Sequence, residues 1–150
     1  MTDKEALNQA MKLCSKKEYS SGEMKKKFLE WELTEEVAQK VLSSLRDENF
    51  IDDIRFAQAF VNDKLKFSKW GKIKISYMLR QKGVSDLIVS EALKKIDQEG
   101  YEKILINELQ KKIRSIKAAN NYELKGKLIQ FAASRGFEYE VASKIVNKII

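Results

Sequence analysis

The chain has 150 residues, 43% of them hydrophobic and 34% charged, with no proline, no histidine, a single cysteine and a formal net charge of +7. That length holds one ordinary domain or a few small stacked units, and the lack of proline beside only 6 glycines predicts an all-α protein with short connections. Without histidine, and with Cys14 alone, most zinc sites, imidazole acid-base chemistry and any intramolecular disulfide are excluded, and no stretch approaches the about 20 apolar residues of a membrane span.

The first residues, MTDKEALNQAMKL, lack the basic end and apolar run of a signal peptide, so a reducing cytoplasm is the expected location. Thr2 with Glu5 fits a capping box and opens a helical pattern over Ala6 to Lys17, in which Cys14 follows Ala6 and Ala10 at helical spacing and is expected to be a buried, inert thiol. Ser20 with Glu23 fits a second capping box, and Thr34 before Glu35 and Glu36 opens a third helix. Phe50 to Phe60 then reads FIDDIRFAQAF. A short acid there suits the free amides of a helix start, so Asp52 and Asp53 are read as a joint between helices. Arg55 is near enough in sequence to pair with either, and Phe56 and Phe60 supply apolar contact. Further helical patterns cover Ile54 to Phe67 and Ile104 to Ile116.

Three segments end alike: FLEWELTEEVAQKVLSSL from Phe28, LRQKGVSDLIVSEALKKI from Leu79 and AASRGFEYEVASKIVNKI from Ala132. Aligned without gaps at a period of 51 to 53 residues, Leu33 meets Val84 and Phe137, Val37 meets Ile88 and Val141, Val41 meets Ala92 and Ile145, and Leu42 meets Leu93 and Val146. Apolar positions at steps of four and one line one face of a helix that needs a neighbour. The preceding turn holds Gly83 and Gly136, suited to a left-handed helix terminus, but Glu32 in the first copy, where a strained or differently shaped turn is expected. The pattern predicts nine helices in three tandem three-helix repeats, residues 1–50, 51–100 and 101–150. Units of about 50 residues hardly bury an apolar face alone, so they should stack, in an elongated, curved arrangement with function on an extended surface.

The stretch KLKFSKWGKIKISYMLRQKG, Lys64 to Gly83, carries seven basic residues and no acid, interleaved with Phe67, Trp70 and Tyr77. Lysine and arginine neutralise phosphates while exposed aromatics stack on unpaired bases. Lys64, Lys66, Lys69, Trp70, Lys72, Lys74, Arg80 and Lys82 are therefore binding candidates, although Tyr19 aligns with Trp70 and suggests a packing role for the indole. In KKIRSIK, Lys111 to Lys117, the apolar Ile113 and Ile116 belong inside and leave Lys112, Arg114 and Lys117 as a second basic strip. No phosphate-binding glycine loop, metal-ligand cluster or nucleophile with a base is present. The expectation is a chain that is not an enzyme and needs no metal, cofactor or small-molecule substrate.

These residues resemble the RecX family, regulators of the bacterial recombinase RecA. The likeness runs through almost the whole chain; FIDDIRFAQAF followed by the basic stretch and LRQKGV is its specific part, and Glu32 departs from the glycine usual in the first repeat. The resemblance implies three tandem three-helix units that bind the RecA filament along its groove and restrain ATP hydrolysis, strand exchange and repressor self-cleavage in recombination, DNA repair and the SOS response. It also implies contact with single- or double-stranded DNA. The family motif falls on Asp52, Asp53, Arg55, Phe56 and Phe60, read here as architectural. The alternative is a helix-turn-helix-like DNA-binding regulator that acts without RecA.

Overall fold

The computed structural model describes residues 1–150 as nine α-helices and one π-helical turn, without strands. They pack as two compact units, one of Met1–Ala59 with Leu79–Val89, the other of Phe60–Met78 with Ser90–Ile150.

The first unit contains α1 (Asp3–Lys16), α2 (Ser21–Glu30) and α3 (Glu35–Asp47), the start of α4 (Asp53–Asp63), the end of α5 (Lys72–Gln81) and the start of α6 (Asp86–Lys94). Both expected capping boxes form. Thr2 Oγ1 accepts the Glu5 amide at 3.1 Å and Ser20 Oγ accepts the Glu23 amide at 3.0 Å, while each glutamate reaches back to the cap amide. Thr34 caps α3 through the Val37 amide. Ala6 and Ala10 on α1, Met24 and Phe28 on α2, and Val41, Leu42 and Leu45 on α3 share one core with Tyr19 and Ile51. The alanines let α1 lie close to α3. Cys14 is half-buried rather than fully enclosed, and burial pushes its thiol above the usual range, with nearby Glu18 adding to the shift.

The second unit holds the end of α4, which runs on into a π-helical turn at Lys64–Ser68, then the start of α5, the end of α6, α7 (Gln98–Ile113), α8 (Asn121–Ser134) and α9 (Tyr139–Ile149). The predicted continuation to Phe67 thus exists, but with widened hydrogen bonding, and Lys69 ends it in the left-handed region at φ 57°. Helix α7 starts earlier than the pattern suggested because Asp97 accepts the Gly100 amide at 3.1 Å. It ends at Ile113 where Ser115 and Ile116 amides turn back to Lys112 and Ile113 carbonyls. Tyr101, Leu105 and Leu109 on α7, Leu128 and Ala132 on α8, and Ala142, Ile145 and Val146 on α9 are buried. Helix α8 starts under Asn120, whose side chain accepts the Glu123 amide at 2.9 Å. No helix is long and apolar enough to cross a membrane.

One turn recurs at each of the three aligned segments. Leu33, Val84 and Phe137 amides donate to the carbonyls of Phe28, Leu79 and Ala132 at 3.0, 3.2 and 3.0 Å, closing the helix end around Glu32, Gly83 and Gly136 at φ 56°, 78° and 90°. Glu32 therefore adopts the same left-handed shape as the glycines, and the alternative of a different turn is discarded. The exposed Glu32 has room for its side chain, whereas a Cβ on Gly83 would stand 2.7 Å from the Gly22 Cα. Glu32→Gly should consequently stabilise the protein by about 1 kcal/mol through relief of left-handed strain. Gly83→Ala should destabilise it by more than that, since strain and collision add. Urea denaturation of both variants checks this; equal and opposite small shifts, or loss of stability in Glu32→Gly, would contradict it.

Candidate functional site

The two adjacent aspartates perform different tasks. Asp52 precedes α4, and its Oδ1 accepts the Ile54 and Arg55 amides at 3.0 and 3.1 Å, an ordinary helix cap. Asp53 reaches to the start of α2 instead, where Oδ1 accepts the Ser21 amide at 2.7 Å and Oδ2 the Ser21 hydroxyl at 2.5 Å. Arg55 pairs with neither. Its Nε and Nη2 donate to the Glu18 carboxylate at 2.8 and 3.3 Å, and Nη2 also reaches the Asn49 carbonyl at 3.1 Å. Phe56 is buried. Beside them the Ser20 hydroxyl, already an N-cap, donates to the Lys82 carbonyl at 2.6 Å, and Lys82 Nζ pairs with Glu23 at 3.0 Å. A Cβ on Gly22 would lie 2.6 Å from the Gly83 Cα, so the start of α2 and the turn after α5 meet backbone to backbone.

An equivalent set of contacts occurs in the second unit. Gly71 and Ile73 amides donate to the Arg135 and Gly136 carbonyls at 2.7 and 3.0 Å. The Lys72 amide donates to the Tyr101 hydroxyl oxygen at 2.9 Å, and that hydroxyl donates to the Glu138 carboxylate. Burial pushes the Tyr101 pKa above the phenol range, and the bond to Glu138 adds to it. By the period of 51 to 53 residues, Ser20 corresponds to Gly71, Ser21 to Lys72, Lys82 to Arg135 and Gly83 to Gly136. A helix start in one repeat thus docks against the glycine turn of the next, and its free amide is met by a side chain from that next repeat's first helix, Asp53 in one case and Tyr101 in the other.

The basic stretch divides into paired and unpaired cations. Arg80 is in an ion pair with Asp86 at 2.8 Å and Lys82 with Glu23. Lys72 Nζ bonds the Gln98 side chain at 3.1 Å and sits over the Tyr101 ring. Lys64, Lys66, Lys69 and Lys74 have no carboxylate partner within ion-pair distance. Lys64 and Lys74 instead place their ammonium groups 4.9 and 4.5 Å from the Trp70 ring centroid. Phe60, read from the sequence as part of the joint, stands edge-on to Trp70 at 6.3 Å and also lies under Lys64. Each cation over an aromatic face gains about 0.5–2 kcal/mol. Trp70 is half-buried among these groups, whereas Phe67, with Lys66 over its ring, is 71% exposed and Tyr77 59%.

The second basic group is less uniform than a helix face. Lys112 lies on α7 over the Phe131 ring, with Arg135 against the same ring and 3.7 Å from Glu108. Arg114 is the C-cap residue of α7, and Lys117 falls in the following loop, where its carbonyl accepts Lys127 Nζ at 2.7 Å. The three candidates therefore sit on a helix, its end and a loop. Glu18 and Ser21, which complete the first joint, were not identified from sequence; nothing local links them to Arg55 and Asp53. Gly71 and Tyr101 were missed as well, although the repeat period placed Gly71 opposite Ser20.

Asp53→Asn should cost about 1.5–3 kcal/mol, the range for a hydrogen bond to a charged group, and the share due to the hydroxyl bond should vanish in a Ser21→Ala background, which keeps the backbone amide bond. Asp52→Ala should cost about 0.5–2 kcal/mol as a lost cap and be indifferent to Ser21. A double-mutant cycle by urea unfolding decides; absence of Asp53–Ser21 coupling would remove the hydroxyl bond from the joint. A further test is pH. Burial opposes ionisation of Glu23, but the Ser20 amide and Lys82 together hold its carboxyl below the ordinary value of 4.5. The folded pKa being the lower one, this contribution is present above about pH 4.5 and is lost as pH falls through the folded value. Wild-type stability should thus fall more steeply than that of Glu23→Gln over that acid range.

Comparison with known proteins agrees with this arrangement. Family models described as the first, second and third three-helix domains of RecX match residues 6–45, 52–93 and 100–146. The chain is 36% identical over 118 residues to the regulatory protein RecX of Clostridium botulinum (strain Eklund 17B / Type B), covering 77% of this chain and 55% of that protein, so it spans about half the length of that relative. It is 31% identical over 147 residues to the regulatory protein RecX of Chlorobium phaeobacteroides (strain BS1), covering 98% of this chain and 95% of that one. The crystal structure of RecX from Lactobacillus salivarius shares the fold, with a TM-score of 0.88 at 21% identity over 98% of this chain and 96% of that one. With three successive domain matches and an end-to-end relative, the chain belongs to the RecX family of regulatory proteins.

Proposed function

We propose that this chain is a regulator, not a catalyst, that binds the RecA filament in the cytoplasm and restrains its ATP hydrolysis, strand exchange and stimulation of repressor cleavage during recombination, repair and the SOS response. Three repeats, 1–50, 51–100 and 101–150, act together in this reading. The observation that carries it is the recurrence of one joint: the contacts of Ser20 and Ser21 with Lys82 and Asp53 are repeated by Gly71 and Lys72 with Arg135 and Tyr101. Similar surfaces then recur along the chain, which suits a target that itself repeats, as the protomers of a filament do. Membership of the RecX family supports the same target.

In this mechanism the nucleotide is bound by the recombinase. The regulator acts by holding one filament state more tightly than another, because a ligand moves an equilibrium only through differential affinity. A molecule spanning several protomers restrains more than the one it touches first. The test is the recombinase's DNA-dependent ATPase titrated with this protein. Inhibition should be complete below one molecule per protomer and should persist when free DNA is in excess. Inhibition that requires a full equivalent and disappears with added DNA, while the filament remains, would favour a DNA-binding regulator acting without RecA.

A further inference from the structure

Helices α2 and α3 leave an open groove in the first compact unit. Leu29, Leu33, Ala38 and Leu42 line it, with Lys25 from α2 and Glu35 from α3, and it encloses about 300 Å³, the lower end of the range for binding clefts. Leu29 is 74% exposed. The aligned positions of the second repeat are used differently. Leu29 corresponds to Arg80 and Glu35 to Asp86, and those two form an ion pair at 2.8 Å that joins α5 to α6. In the first repeat neither Glu35 nor Lys25 has a charged partner within ion-pair distance. Glu30, Glu32, Glu35 and Glu36 are all exposed where α2 gives way to α3, in a stretch without a basic residue. The segment that joins the two walls is therefore acidic, while the groove floor is apolar.

The second compact unit carries an element of complementary chemistry. On α5, Ile73 and Tyr77 are 58% and 59% exposed, and their spacing of four puts them on one helix face. Lys74, three residues before Tyr77 and so its neighbour on the helix surface, has no carboxylate within ion-pair distance, and α5 contains no acid. Apolar anchors at this spacing are how a helix fills a hydrophobic groove, and opposite charge around them fixes the pairing. We propose that α5 of one molecule docks Ile73 and Tyr77 in the α2–α3 groove of a second copy, with Lys74 against the acidic segment of that copy. The contact joins unlike surfaces, so each molecule offers both a groove and a helix. This self-association goes beyond the proposed function, and its test contains no recombinase, so the two readings fail separately.

Analytical ultracentrifugation of the full chain over a concentration series, at low and high salt, tests this. The mean mass should rise with concentration and fall back as salt screens the charges. Leu29→Lys spoils the groove and Tyr77→Glu the helix, both at exposed positions, and circular dichroism checks that each variant folds. Each alone should lose association at least about 10-fold, as expected for a central anchor. Mixed, the two should pair one to one and go no further, because each supplies the surface that the other lacks. Glu35→Gln should weaken association less and reduce its dependence on salt. Wild-type protein that stays monomeric up to about 1 mM would leave the groove to a basic segment of another protein and overturn the proposal. Association retained by either variant alone, or a mixture of the two that fails to pair, would overturn it as well.

Discussion

The structure depends on how closely two backbones approach where one repeat meets the next. Gly22 faces the turn at Lys82 and Gly83, and Gly71 faces the turn at Gly136 and Phe137, at separations that leave no room for a Cβ on either side. At that distance the amides at the start of a helix cannot be met by water and must find protein acceptors. In the second joint the Gly71 and Ile73 amides find the carbonyls of the turn itself, in the first the Ser20 hydroxyl takes the Lys82 carbonyl, and in both one side chain from the next repeat accepts an amide, Asp53 for Ser21 and Tyr101 for Lys72. A small repeat with a thin core thereby gains orientation from its neighbour as well as stability, since hydrogen bonds of this kind are directional where apolar contact is not. The first turn of the series, at Glu32, has the same left-handed backbone but is exposed, and a side chain is tolerated there.

The second joint also shapes the charged surface. Helix α5 begins in it, so the same contacts that fix the Gly71, Lys72 and Ile73 amides set where Lys74 leaves the backbone. The left-handed residue Lys69 ends the π-helical turn just before, and between these two constraints Trp70 is held edge-on to Phe60. Cations that lie nearer the first joint are used differently. Lys82 is partly buried against Glu23, and its carbonyl holds Ser20, so both ends of that residue serve architecture. One acid-free run of sequence is thus divided by the fold into a structural end and an unpaired end.

Much of this was legible from the chain. The capping pairs at Thr2 and Ser20, the apolar stripes of the aligned segments and the glycine turns follow from local chemistry with a short period, and the all-α fold of three repeats follows from those together. The role of Asp52 as a cap was visible because cap and amides are neighbours. The roles of Asp53, Arg55 and Phe60 were not, because their partners Ser21, Glu18 and Trp70 are distant in the chain or offered no pattern, and sequence proximity favoured the wrong pairing for Arg55. Charge alone also could not separate Lys74 from Lys82, since the acid that neutralises Lys82 stands 59 residues away. The exposure of Phe67 depended on a π-helical turn that a regular helical pattern does not encode.

The account rests on the joints being fixed elements of the native state, not contacts that form only on average. Native-state hydrogen exchange at the amides of Ser21, Gly71, Lys72 and Ile73 measures this directly, because all four lie at helix starts, where amides ordinarily exchange by fraying. The joints predict that these amides open only with the core of α3 and α9, at free energies close to those of Leu45 and Val146. Exchange as fast as at the exposed start of α8 would show that the repeats move independently, and would contradict the account.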